Sequence, residues 1–133
     1  MRTMKNRRPA LDKERTLKID KDCFVDEDWI QDFIRTAILT CRLKGVKVLR
    51  IQKSRTRKGF HFYVDIDPAV KDELRNRLQW LLGDDCGRVD RNRARMRSGL
   101  NDWNKLFEQP NARLITIYPL TRLRRKRRLS LRA

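Results

Sequence analysis

Two aspartates, Asp20 and Asp22, stand two residues apart in LKIDKDCF, residues 17–24. On a β-strand such residues project from the same face, about 6–7 Å apart. A pair so spaced suits a hard divalent cation. Mg²⁺ is usually held by one or two carboxylates together with substrate phosphates, and Mn²⁺ also favours oxygen ligands. Two such ions can align the attacking and leaving oxygens of a phosphoryl displacement. The only histidine, His61, lies in FHFYVDID, residues 60–67, with Tyr63 and Asp65 following at alternate positions. Just before it, SRTRKG offers the Ser54 hydroxyl, backbone donors and the cations Arg55, Arg57 and Lys58. Together these groups suit a nucleoside triphosphate, with His61 on a phosphate oxygen.

The elements that must position them follow from periodicity. Residues 1–15 read as a basic arm, 16–120 as one domain and 121–133 as a basic tail. Residues 17–24 alternate as a strand, Leu17 and Ile19 on one face and Lys18, Asp20 and Asp22 on the other. Asp26 caps a helix whose apolar stripe is Ile30, Phe33, Ile34, Ala37, Ile38 and Cys41, and Gly45 stops it. Residues 46–52 form a second strand and 60–67 a third. In the third, Phe60, Phe62, Val64 and Ile66 oppose His61, Tyr63, Asp65 and Asp67. Asp67-Pro68 then opens a helix with the stripe Val70, Leu74, Leu78, Leu81 and Leu82, ended by Gly83. Residues 88–97 and 101–107 suggest two shorter helices, and 112–118 a last strand.

The fold class expected is α+β, with the order β-α-β-β-α-β of the RRM-like or ferredoxin-like sheet and helices on one face. That topology has the strand order 4-1-3-2 and makes the first and third strands neighbours. His61, Tyr63 and Asp65 then share an open face with Asp20 and Asp22. Asp65 is a third candidate metal ligand, and Tyr63 a platform for a base.

On these residues the chain resembles the archaeo-eukaryotic primase superfamily. Asp20-Lys21-Asp22 is similar to its D-x-D motif, and Ser54 through Gly59 to His61 to its S-x-x-G-x-H motif. The segment from Gly83 to Arg93 looks like one that follows the histidine strand in small primase-like proteins of archaea and their mobile elements. The resemblance implies Mg²⁺ or Mn²⁺ on Asp20 and Asp22 and nucleotide contacts from Ser54, Arg55, Lys58 and His61. Asp20, Asp22 and His61 would be the catalytic residues of a nucleotidyl transfer in replication. The family's third motif is an aspartate on a later strand, and ARLITIY, residues 112–118, has no acid. A catalytically inactive remnant therefore fits the same residues.

Charge bears on the partner. The chain has 133 residues, 34 Lys+Arg against 17 Asp+Glu, and a net charge of +17. Residues 42–58 hold eight basic residues and no acid, Arg50, Lys53 and Arg57 among them. The tail holds seven more, including Arg124, Arg125, Lys126, Arg127 and Arg128. Such stretches release counterions from a polyanion, so the expected partner is nucleic acid, DNA or RNA. Arg91 and Arg95 extend this set unless the arginines of 88–97 instead pair with Asp84, Asp85 and Asp90. No run is apolar enough to span a bilayer, so no membrane partner is expected. Three cysteines without C-x-x-C spacing oppose a disulfide scaffold or zinc site and suggest a reducing cytoplasm. The alternative to a primase-like protein with replication partners is a non-catalytic RNA-binding protein associated with ribosomes. A third reading is a DNA-binding accessory protein.

Overall fold

The computed structural model describes residues 15–119. The element order is β1 (Thr16–Lys21), α1 (Glu27–Leu43), β2 (Lys47–Arg55), β3 (Phe60–Asp67), α2 (Asp72–Leu81), α3 (Cys86–Arg97) and β4 (Ile115–Tyr118). The fold is α+β, with one four-stranded antiparallel sheet and three helices. Residues 1–14 of the arm, residue 120 and the tail, residues 121–133, lie outside the described residues.

Alternation in β1 and β3 sends Leu17, Ile19, Phe62, Val64 and Ile66 into one core with Ile51 of β2. Helix α1 covers this face with Ile30, Phe33, Ile34, Ala37 and Cys41, and α2 adds Leu78. Each such large side chain, fully buried, contributes roughly 1.5–3 kcal/mol. Asp26 caps α1 by accepting from the Trp29 amide at 2.9 Å, while Glu27 and Asp28 complement the helix dipole. Gly45 ends the turn at φ 75°, a backbone region costly for residues with a Cβ.

β1 and β3 are neighbours as expected, with Asp20 opposite His61. The strand order, however, is β1-β3-β2-β4 and not 4-1-3-2, so β4 pairs with β2. The reason lies at the outer edge of β1. The Lys18 amide donates to Oε1 of Gln79 at 3.0 Å, and the Asp20 amide to Oδ1 of Asp84 at 2.9 Å. Arg88 donates to the Lys18 carbonyl at 3.2 Å. Side chains from α2, α3 and the turn between them thus use the groups a fourth strand would need.

Other boundaries shift too. Helix α2 starts at Asp72 with Lys71 as its N-cap, beyond Asp67-Pro68. Leu81 and Trp80 are exposed on it, whereas Arg75, Asn76 and Gln79 are buried. Its inner side is partly polar because it meets the β1 edge and α3. Residues 101–107 are not helical. After Gly99 the chain runs irregularly over the polar face of the sheet, and its hydrogen bonds go to the sheet, α2 and α3. Lys18 Nζ donates to the Asn104 carbonyl at 3.0 Å, and the side-chain amides of Asn104 and Gln79 exchange two bonds of 2.7 and 3.1 Å.

Candidate functional site

The expected open face is covered. Glu108, from the strap between α3 and β4, places its carboxylate at its centre. Ser54 Oγ donates to Oε2 at 2.6 Å, Tyr63 Oη donates to Oε1 at 2.5 Å, and His61 Nδ1 lies 2.8 Å from Oε1. His61 and Tyr63 are 7% and 4% exposed, so neither is an open platform. This corrects the expectation for Tyr63 as a base-stacking residue. Burial pushes the Glu108 carboxyl up, but hydrogen bonds from His61, Ser54 and Tyr63 outweigh it and hold it below its ordinary value.

On its other side, His61 Nε2 lies 3.5 Å from Oδ1 of Asp20. The imidazole bridges two carboxylates, one from β1 and one from the strap. A neutral ring can donate to only one of them, and an imidazolium to both. Burial, then the Asp22 charge, raises the Asp20 carboxyl, against opposing pulls from His61 and Arg88. Asp22 lies beyond the end of β1 and is exposed.

Asp65 does not join the pair. It sits opposite Thr16, at the far end of β1 from Asp20, and is 3% exposed. Thr16 Oγ1 donates to it at 2.9 Å and Arg50 Nε at 2.8 Å. Asp65 as a metal ligand is thereby corrected, and Arg50 carries a structural ion pair. Among the described residues no group of three or more His, Cys, Asp and Glu side chains could hold a metal ion. The divalent site implied by the resemblance is therefore reduced to Asp20 and Asp22.

Gly59 explains the glycine of the hairpin. A Cβ there would meet the Lys21 carbonyl oxygen at 2.0 Å and the Cys23 backbone at 2.6 Å. The hairpin thus lies directly against the segment carrying Asp20 and Asp22.

Beside the hairpin, the end of β2 and residues 109–113 enclose a groove of about 710 Å³. Lys53, Arg55, Arg57 and Arg113 line it with Phe60, Gln109, Asn111 and Ile115, and among the described residues no acid does. Lys53 Nζ lies 5.4 Å from the centroid of the Phe60 ring, and the Arg55 guanidinium 5.0 Å from that of Phe24. Lys58 is exposed at the hairpin tip but outside this lining.

Comparisons with protein-family models, with curated proteins and with solved structures each gave no match.

The arginines of α3 divide. Arg88 is buried on Asp84 at 3.1 Å and also donates to the Asn104 side chain at 2.8 Å and to the Lys105 carbonyl. Burial raises the Asp84 carboxyl, while Arg88 and the backbone amides of Asp20 and Asp85 oppose the rise. Arg91 approaches Asp85 at 3.9 Å and Arg93 approaches Asp90 at 3.8 Å, both on the surface. Arg95 donates to the Trp103 carbonyl at 3.3 Å and so holds the start of the strap. Arg124, Arg125, Lys126, Arg127 and Arg128 lie outside the described residues.

Sequence reasoning missed Glu108 and Arg113. Glu108 stands alone in FEQPN, with no periodic partner to mark it. Arg113 looked like part of a strand that in fact begins at Ile115.

Proposed function

We propose that this protein binds nucleic acid as a non-catalytic module, with RNA in a ribonucleoprotein such as the ribosome as the first target to test. The observation that carries this reading is the groove in which Lys53, Arg55, Arg57 and Arg113 converge with no acid among the described residues that line it. Four cations held together in one concavity repel one another, and a polyphosphate chain relieves that repulsion. The sheet is read as a variant of the RRM-like pattern whose last strand has moved to the opposite edge. Because the strap occupies the polar face, contact with nucleic acid is assigned to the rim.

The test is fluorescence anisotropy with labelled RNA and DNA over a salt series. The expected result is binding whose logarithm falls linearly with the logarithm of salt, by roughly 0.7–0.9 per neutralised phosphate. Asp20→Asn/Asp22→Asn should leave that affinity intact. Absence of binding at low salt would overturn the reading.

The second reading is a primase-like nucleotidyltransferase needing Mg²⁺ or Mn²⁺. It is favoured by one observation: Asp20, His61 and Glu108 meet in space, and Glu108 is an acid that follows the histidine strand in the chain. Incubation with Mg²⁺ or Mn²⁺, nucleoside triphosphates and primed or unprimed templates separates the two readings. Extension products lost in Asp20→Asn/Asp22→Asn would establish the second.

A further inference from the structure

We propose that the groove between the β2–β3 hairpin and residues 109–113 is a track for an unpaired strand, with phosphates on its cations and a base against Phe60. The inference rests on the nucleic-acid reading above and adds the strandedness of the ligand and its path.

Shape is the first argument. The groove is concave and of about 710 Å³, within the roughly 300–1,000 Å³ of small-ligand sites. Duplex grooves are read by protein elements that protrude into them, whereas a strand lies in a channel. The second argument is the alternation of lining chemistry. Cations for a backbone stand beside an aromatic ring, and such aromatic surfaces stack on bases of any sequence. Phe60 is half-buried and lines the groove, with Lys53 Nζ 5.4 Å from its ring centroid, while the Arg55 guanidinium lies 5.0 Å from the ring centroid of Phe24, which stands outside the lining. The amides of Gln109 and Asn111 can donate to and accept from base edges. The third argument is electrostatic. The one acid adjoining this wall in sequence, Glu108, turns to Ser54, His61 and Tyr63. Its charge is spent on the other face of the sheet and not in the groove.

The experiment measures binding of the full chain to a short labelled oligouridine, the matching oligothymidine, a duplex of equal length and an abasic strand. Lys53→Ala/Arg113→Ala, Phe60→Leu and a variant with residues 124–128 all changed to Gln run alongside, each checked for folding by circular dichroism. The expected result is preference for either base-bearing single strand over both the duplex and the abasic strand. Lys53→Ala/Arg113→Ala should lower the salt slope for the single strand by roughly 1.4, the value for two phosphate contacts. Phe60→Leu should weaken binding about fivefold or more. The Lys53→Ala/Arg113→Ala result stands by itself if Phe60→Leu fails to fold. Wild-type binding to none of the four probes defeats the nucleic-acid reading itself. Binding that ignores Lys53→Ala/Arg113→Ala but vanishes in the 124–128 variant, or equal affinity for the duplex or abasic strand, defeats the track alone.

Discussion

The Oε1 atom of Glu108 lies 2.8 Å from Nδ1 of His61, although 47 residues separate them in the chain. That contact joins the irregular strap to β3, one of the two inner strands of the sheet, and closes a surface that strand alternation would leave open. The carboxylate also takes the hydroxyls of Ser54 and Tyr63, so both of its oxygens are engaged by the sheet. Glu108→Ala leaves those donors without it and should cost about 1–3 kcal/mol in a urea melt. Tyr63→Phe removes one donor and should cost about 1 kcal/mol. A melt of Glu108→Ala matching wild type would show the strap to be unanchored there.

The same carboxylate sets an acid response. Its folded-state value is depressed, so its contribution to stability is complete above the ordinary glutamate value of about 4.3. That contribution is lost as the pH falls through the folded value. Intrinsic fluorescence should therefore report release of the strap, with Trp103 at its start, on the acid side of that value. Glu108→Gln should lack this transition. An acid transition identical in the two proteins would assign it to other carboxylates.

Asp20 should respond in the opposite sense. Burial and Asp22 raise its carboxyl, so ionisation works against the folded state, and the associated stability is lost as the pH rises through the folded value. Asp20→Asn should raise the Tm at neutral pH and leave it little changed in acid. A lowered neutral Tm would mean that its contact with His61 dominates.

Arg88→Ala strips Asp84 of its buried partner and removes one donor each from the Lys18 and Lys105 carbonyls and the Asn104 side chain. Breaking such a pair costs about 3–5 kcal/mol. The urea midpoint should fall accordingly, and Arg91→Ala, on the surface, should move it little.

Gly59→Ala forces a methyl into the backbone at Lys21 and Cys23 and should cost about 1–3 kcal/mol. Hydrogen exchange should quicken at the end of β1 and in the hairpin together. Exchange confined to the hairpin would contradict the close approach.

Much of the scaffold was legible because it rests on local periodicity. β3 matches its expected span, residues 60–67, and α1 shows the expected cap, most of the expected stripe and the expected glycine stop. The adjacency of β1 and β3 and the shared face of Asp20 and His61 were legible, whereas the register that sets the two residues opposite each other is a finding of the structure. The position of β4 was not legible, because it depends on which groups reach the edge of β1. Gln79, Asp84 and Arg88 look like ordinary helix and turn residues in the sequence, yet they occupy that edge. The strap departs from its helical pattern for a related reason. LNDWNKLFEQ has apolar residues at helical spacing, but the Asn104 side chain pairs with Gln79 of α2 and Arg88 of α3, and Glu108 with Ser54, His61 and Tyr63 of the sheet. Asp65 misled through its shared face with His61, which fixes direction but not distance along the strand.

The side chains along the outer edge of β1 also bear on self-association. An uncovered edge strand is a template on which a second chain can add, and proteins often blunt such edges with charge or cover. Here Gln79, Asp84 and Arg88 already take up the outward groups of Lys18 and Asp20. The sheet is therefore sealed against growth at its first strand by an ion pair and an amide. A chain lacking Arg88 loses stability together with the cover on the Lys18 carbonyl.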